Sequence, residues 1–581
     1  MGQLIAYKLN SISSLIPLFL SYFLSSKNTI LNEFILLSGL IITILLLILI
    51  IFIIIRHKIL LKKRKNANNL PPTTEQDFAK IIQNDFIYVD KTEYLYKLID
   101  SNITYFFLAR PRRFGKSLLI SALKEIFRGN QELFTGLYIY NKIKWNSYPI
   151  IHIDFLSFYS EEASLNQLLI KKIKDIAKKF DIILDSEIEN QLFEELIIKI
   201  NKKYKKKVVV LIDEYDYPII NNIDNIDVVL RNRNVLKAFY SILKSCDQYL
   251  RFVFITGISK FSQTSIFSGL NNLNDISFDK NYYGITGLTE DELQKYFPSY
   301  IDKLSIEEQK TKEEILSKIK YWYNGYSWNG VNKVYNIFSI LNLFDKLSFM
   351  PYWFETAIPS VLVKFIKKQK DFNIDFTDIT IDPLMLTTSD VESIQLIPLL
   401  FQTGYLTISQ VIKTENDMLY ILNYPNYEVR KNFINYIFRD FNSNNVNLIR
   451  NIIDSLKNND IDKVMLYLHS IIASIPNYIF DYQNESYYHS IIHAVFTLLF
   501  DYSYAEVSTN IGRIDEVVEL NNGVFIFEFK LTSKEEAMRQ IKQKRYFDKY
   551  KIKNKPIFLI AVGISKEDRN IKDWVIERID G

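Results

Sequence analysis

The chain has 581 residues, more than one hydrophobic core usually organises, so two to four domains are expected. Its 48% apolar and 24% charged residues exclude wholesale disorder. A net charge of +5 permits a nucleic-acid partner without demanding one, and the single cysteine, Cys246, excludes an intramolecular disulfide framework and a cysteine-built zinc cage.

Residues 1–33 contain a weaker apolar stretch, Leu9 to Leu24, interrupted by Pro17. It reads as a signal-like segment, an interfacial helix or the first arm of a helical hairpin. Phe34 to Ile55 follows without a charge over 22 residues. At about 1.5 Å per residue this run spans a hydrocarbon core of roughly 30 Å, so a transmembrane helix is expected. Arg56, Lys58, Lys62, Lys63, Arg64 and Lys65 come next with no acidic residue among them. The positive-inside rule then puts residues 56–581 in the cytoplasm behind a single-pass or hairpin membrane anchor. Residues 56–75 end in a polar stretch with Pro71-Pro72 and read as a linker.

Residues 76–288 carry the first chemical cluster. Tyr105 to Ala109 reads as a buried strand, Arg110-Pro111-Arg112-Arg113-Phe114-Gly115-Lys116-Ser117 as a tight loop, and Ser117 to Lys124 as a helix. Strand, loop and helix in that order suit a phosphate-binding loop. Arg112, Arg113, Phe114 and Gly115 shape it, Lys116 offers a point charge to β- and γ-phosphates, and Ser117 offers a hydroxyl to Mg²⁺. The usual first glycine is replaced by Arg110. Val208 to Ile212 reads as a buried parallel strand ending in Asp213-Glu214, with Asp213 toward Mg²⁺ and Glu214 toward the attacking water. Thr256, at the end of Phe252 to Gly257, is a candidate γ-phosphate sensor.

Residues 289–380 read as a helical lid and 381–480 as a helical region with a winged-helix-like unit around Leu396 to Tyr420, stopped at Gly404. Aromatic residues between Tyr321 and Phe354 suit core packing better than base stacking. Lys202 to Lys207 holds five lysines in six positions and reads as a solvated loop, with anionic lipid as an alternative partner.

In residues 481–581, Val517 to Leu520 and Val524 to Phe527 flank Asn521-Asn522-Gly523, a hairpin signal. With Asn522-Gly523 as a two-residue turn, Asp515 lies opposite Lys530 and Val517 opposite Glu528. Asp515, Glu528 and Lys530 then share one face, and a slip of one residue would separate them. Two close carboxylates suit Mg²⁺ or Mn²⁺, and Lys530 would orient the attacking water. Glu485 and Glu506 supply further acid upstream, Glu506 as a candidate metal ligand, and Gln540 and Lys544 lie one helical turn apart downstream.

Tyr88-Val89-Asp90-Lys91-Thr92, the Arg110 to Ser117 loop, Leu211 to Asp216, Phe254 to Phe261, Ser265 to Leu273 and Trp322 to Tyr326 resemble the AAA-ATPase-like proteins with a C-terminal PD-(D/E)XK nuclease domain. The Arg-Pro-Arg-Arg-Phe-Gly-Lys-Ser loop is typical of that family, whereas the apolar N-terminal run is not part of its usual pattern. The resemblance implies an α/β multidomain fold: an AAA-like P-loop module, a helical and winged-helix-like middle, and a restriction-endonuclease-like α/β C-terminal domain. It implies ATP, Mg²⁺ or Mn²⁺, and DNA or RNA as partners, and leaves open a homo-oligomer. An ATP-dependent switch whose nuclease-like domain binds nucleic acid or protein without cutting is the alternative.

Overall fold

The computed structural model describes residues 37–52, 70, 73–158, 163–223, 225–260, 266–354, 376–386, 395–415, 417–441, 446–473, 488, 492, 493, 495, 496, 503–508 and 513–579. The expected membrane-spanning helix is not borne out. Residues 37–52 are helical, about 24 Å of rise, which falls short of a hydrocarbon core. Among the described residues no helix is long and apolar enough to cross a membrane, and the expectation of a membrane anchor with a cytoplasmic remainder falls with it. Leu9 to Leu24 lies outside the described residues.

The first sheet contains β1 (Tyr105–Ala109), β2 (Ile150–Asp154), β3 (Val208–Asp213), β4 (Leu250–Gly257) and β5 (Asn274–Asp275), all parallel in the order β2-β3-β4-β1-β5. Its central strands are near-continuous apolar runs because both faces are covered. On one face Phe106, Leu108, Val209, Leu211 and Phe254 pack on Leu119, Leu123 and Ile126 of α1 (Lys116–Arg128). On the other, Phe107, Val210, Ile212, Val253 and Ile255 meet α2 (Leu165–Lys179), α3 (Glu189–Tyr204) and α4 (Ile226–Ser245). The order puts β4 between β1 and β3, so the ends of all three strands converge on the loop that opens α1.

Four helices with a core of their own occupy the region read as a lid: α5 (Glu290–Tyr296), α6 (Pro298–Glu308), α7 (Lys312–Tyr323) and α8 (Ile337–Lys346). Capping boxes at Thr289/Glu292 and Thr311/Glu314 start α5 and α7. Lys91 donates to both oxygens of Glu292 at 2.7 and 2.6 Å, tying the N-terminal segment to the lid. β6 (Ile379–Ile381), β7 (Thr407–Lys413) and β8 (Met418–Asn423) form an antiparallel sheet in the order β6-β8-β7, preceded by α9 (Leu396–Thr403) before its last two strands. The helices α10 (Tyr427–Phe441), α11 (Val446–Lys457) and α12 (Ile461–Ala473) follow. Tyr323, Tyr326, Tyr335 and Trp353 are fully buried, so most of the aromatic stretch is core.

The C-terminal sheet runs β13-β12-β11-β10-β9, from β9 (Ser503–Ser508), β10 (Arg513–Leu520), β11 (Gly523–Lys530), β12 (Ile557–Ser565) and β13 (Asn570–Ile579). β11 and β12 are parallel, which requires a crossover, and α13 (Lys534–Gln543) provides it. Ala537, Met538 and Ile541 of α13 cover Val517, Val524 and Ile526 on one face, while Phe525, Phe527 and Phe529 face the central core.

Candidate functional site

The phosphate-loop cluster is built around Gly115, the residue before α1, which has φ 89° and open space where a side chain would begin. An L side chain there would strain the backbone and fill the concavity facing the helix N-terminus. Lys116 is buried and its Nζ donates to the carbonyl oxygens of Arg110 and Pro111 at 3.0 and 3.1 Å. Burial lowers its pKa, opposed by the charges of Glu214, Asp213 and Asp216. Ser117 is half-buried in the first turn of α1.

Asp213 Oδ1 accepts from Thr256 Oγ1 at 2.6 Å and from Glu214 N at 3.1 Å. Thr256, expected as a phosphate sensor, is fully buried and its hydroxyl holds Asp213 instead. Glu214 is half-buried in a left-handed backbone at φ 50°, and burial raises its pKa against the opposing charge of Lys116. Asp216, not singled out in the sequence, is buried and accepts from Ile258 N, Ser259 N and Ser259 Oγ. A side chain on Gly257 would meet the Tyr215 ring at 2.4 Å, so only glycine passes there.

Arg110 explains the missing first glycine. Its side chain is buried, donates to Ala109 O and Ser277 O at 2.8 Å, and stacks 3.9 Å over the Trp328 ring. The loop is thereby pinned by its first side chain rather than left to glycine flexibility. Trp353 Nε1 donates to Arg112 O at 3.1 Å, and Gly404 (φ 93°) packs where a Cβ would lie 2.8 Å from Pro111. Phe114 packs edge-on against Tyr326, and Arg113 (φ 67°) lays its guanidinium 4.3 Å over Phe338. An apolar cleft of about 130 Å³ opens beside Gly115 and Leu118, walled by Tyr88, Val89, Ile285 and Phe338.

The hairpin register differs from the expected one. Leu520 pairs with Gly523 and Glu516 with Phe527, so the turn is Asn521-Asn522 and Asp515 falls level with Glu528 rather than Lys530. The offset is two residues, an even number, and Asp515, Glu528 and Lys530 keep a common face. Asp515 Oδ2 accepts from Phe529 N at 2.8 Å. Glu528 is buried; its Oε1 accepts from Gln540 Nε2 and lies 3.6 Å from Lys530 Nζ, while its buried Oε2 has no partner among the described residues. Burial, then the Asp515 charge, push the Glu528 carboxyl up to about 8, with Lys530 and Lys544 pulling the other way. An orphaned carboxylate oxygen beside a second acid is the donor set a hard divalent cation completes. Glu506 lies in β9 between Ala505 and Val507, whose partners Glu516 and Ile514 bracket Asp515. The side chain of Glu506 and all of Glu485 lie outside the described residues, among which no group of three metal-binding side chains occurs.

Sequence reasoning missed what lies behind this strand. Glu516 is fully buried on the opposite face from Glu528, and its Oε2 lies 2.5 Å from His493 Nδ1. Arg430 Nη2 lies 3.2 Å from His493 Nε2. A guanidinium only donates, so Nε2 accepts and Nδ1 carries the proton given to Glu516. Arg430 belongs to α10, as does buried Glu428, which accepts from Trp353 N at 2.6 Å and Ser339 Oγ at 2.9 Å. Hydrogen bonds and about half a helical turn, Glu428 to Arg430, therefore run from Arg112 in the phosphate loop to the strand that carries Asp515. The available signal was Glu516 itself, a charge on the inward face of a strand between Asp515 and Val517.

The "predicted AAA-ATPase" family model matches residues 72–267, and the PD-(D/E)XK nuclease superfamily model matches residues 483–574. The "uncharacterized protein in vnfD 5'region" of Azotobacter chroococcum mcd 1 is 36% identical over 523 residues, covering 87% of this chain and 99% of that protein.

Proposed function

Because the chain belongs to the AAA-ATPase-like proteins with a C-terminal PD-(D/E)XK nuclease superfamily domain, we propose that it is an ATPase whose nucleotide state controls metal-dependent cleavage of DNA or RNA phosphodiester bonds. The observation that carries the cleavage half is Glu528: buried, orphaned at Oε2 and level with Asp515. Asp515 and Glu528 are the residues that would hold Mg²⁺ or Mn²⁺. Such an ion, when bound, supplies charge neutralisation and polarisation of the phosphodiester. Gln540 fixes the Glu528 carboxylate in place, and Lys530, 17% exposed, is the group able to orient a water on the open side. Glu528 must be ionised for this work, and Lys530 and Lys544 favour that form.

On the ATPase side, Gly115, Lys116 and Ser117 receive the phosphates, with Arg112 and Arg113 flanking them. Asp213, held by Thr256, serves the nucleotide's Mg²⁺, and Glu214 positions the water. The apolar cleft beside Leu118 suits the base. Coupling is supported by the bonded path Arg112–Trp353–Glu428 on one side of α10 and Arg430–His493–Glu516 on the other.

The test is cleavage of single- and double-stranded DNA and RNA by the full chain in Mg²⁺ or Mn²⁺, with and without ATP. Asp515→Asn and Glu528→Ala are expected to abolish cutting while ATP turnover persists. Both variants cutting as well as the parent overturns the reading. ATPase activity stimulated by nucleic acid, with no scission in either metal, assigns the domain to binding alone.

A further inference from the structure

A second charged cavity lies at the far edge of the ATPase sheet, and no step above uses it. It is a cleft of about 590 Å³ between the edge strand β2, the C-terminal half of α1, and α2. Lys124, Arg128, Lys172, Lys179 and Lys206 line it together with His152, and among the described residues no carboxylate joins them in the lining. Lys124 stands eight residues beyond Lys116 on the same helix, about 12 Å of rise, so this is not the phosphate loop.

Among the described residues only one of the five cations forms an ion pair. Arg128 pairs with Glu125, and Lys206 donates to Ser147 O. Lys172 reaches the Ser157 hydroxyl at 3.5 Å and lies 5.9 Å over the Phe158 ring. Asp154 feels its charge, as Lys124 feels those of Glu125 and Asp77, but among the described residues none of Lys124, Lys172 and Lys179 forms an ion pair. Among the described residues the buried Nε2 of His152 has no partner. Burial, then the Lys124 charge, lower the His152 pKa to about 4, so the ring stays neutral among the lysines. Gathering cations around a cavity costs energy unless an anion enters it.

Aromatic residues share the lining. Tyr204 is 45% exposed and meets the Phe180 ring edge-on at 5.7 Å, and Tyr148 packs edge-on against Phe127. The exposed lysines of the Lys202 to Lys207 run continue outward from Lys206. A cleft with phosphate-binding charge, exposed π-faces and a basic ramp has the features of a single-strand path. A lipid surface would need a flat basic face rather than a cavity.

We propose that this cleft and its lysine ramp bind single-stranded nucleic acid, with Lys124, Lys172 and Lys179 on the phosphates and Tyr148 or Tyr204 against a base. The proposal rests on the reading that the chain acts on nucleic acid, and it concerns holding a strand rather than cutting it.

The test is fluorescence anisotropy of labelled dT20 and U20 oligonucleotides with the full chain in EDTA without ATP, so that neither metal chemistry nor turnover contributes. Lys172→Ala/Lys179→Ala is expected to weaken binding at least tenfold and to reduce the slope of log K against log salt by about 1.4. Lys310→Ala, an exposed lysine on the lid, serves as the control and should do neither. Unchanged oligonucleotide affinity in the double variant, or an equal loss in the control, overturns the proposal. So does a loss confined to phosphatidylserine vesicles, which would make the cleft a lipid site. Because binding is read without cleavage, a chain that binds here and never cuts sinks the nuclease reading and leaves this one standing.

Discussion

Glu528 sets the pH behaviour of the C-terminal domain. A carboxyl held at about 8 in the fold, against an ordinary 4.5, stabilises the folded state fully at acid pH. That contribution is lost as the pH rises from 4.5 through 8, because the unfolded chain gives up its proton first. Without metal, Glu528→Gln is therefore expected to raise the melting temperature by a growing margin from pH 5 to pH 8, reaching a few degrees. Mn²⁺ should reverse the trend in the parent, with a larger upward shift at pH 8 than at pH 5, since cation and proton compete for the same oxygens. Calorimetric melts at the two pH values, with and without Mn²⁺, read both effects. Arg110 gives a second residue-scale expectation. Arg110→Ala removes two buried hydrogen bonds and a cation–π stack and should destabilise the ATPase module by about 1–3 kcal/mol. Arg110→Lys should not restore it, because an ammonium cannot lie flat on Trp328. In the sequence Arg110 was only a departure from the glycine pattern. Its role became legible once Ser277 and Trp328, distant in sequence, were seen to close around it.

The strands and helices around the two clusters were readable from short signals. Tyr105–Ala109 and Val208–Asp213 emerge at the expected positions, because buried parallel strands are apolar without alternation. The hairpin illustrates what such reading leaves out. Asn522-Gly523 is a strong turn signal, yet Asn522 donates from Nδ2 to Leu456 O, Lys457 O and Asn459 Oδ1 at the end of α11. That tertiary anchor draws Asn521-Asn522 into the turn and leaves Gly523 in β11, where a side chain would crowd Pro556 O. Asn522→Ala should cost about 1–2 kcal/mol, measured by denaturant unfolding, because helix-end carbonyls lose their donor. Inserting one residue in the turn is a sharper test of register. It should turn Glu528 and Lys530 away from Asp515 and remove metal-dependent cleavage, whereas inserting two preserves the faces. The N-terminal reading failed for a different reason: a 22-residue uncharged run followed by a basic cluster suggested a span, but among the described residues no helix is long and apolar enough for one.

Across the whole molecule, the phosphate loop is held by residues from the lid and middle as much as by its own strand and helix. Asn336, Trp353 and Gly404 all meet it. Trp353→Phe removes the bond to Arg112 O and keeps the backbone bond to Glu428. It is expected to leave basal cleavage and fold intact while reducing the response of cleavage to ATP severalfold. Equal ATP stimulation in parent and variant would separate the two domains functionally. Arg112 was legible as part of the loop and Glu516 as a charge on an inward strand face, but the connection between them was not, since each partner along it lies tens to hundreds of positions away. Metal-dependent cleavage depends first on the acidic pair of β10 and β11. Titration of Mn²⁺ into the nucleotide-free full chain, followed by electron paramagnetic resonance, should reveal a site that vanishes in both Asp515→Asn and Glu528→Gln. Undiminished Mn²⁺ binding in those two variants would contradict it.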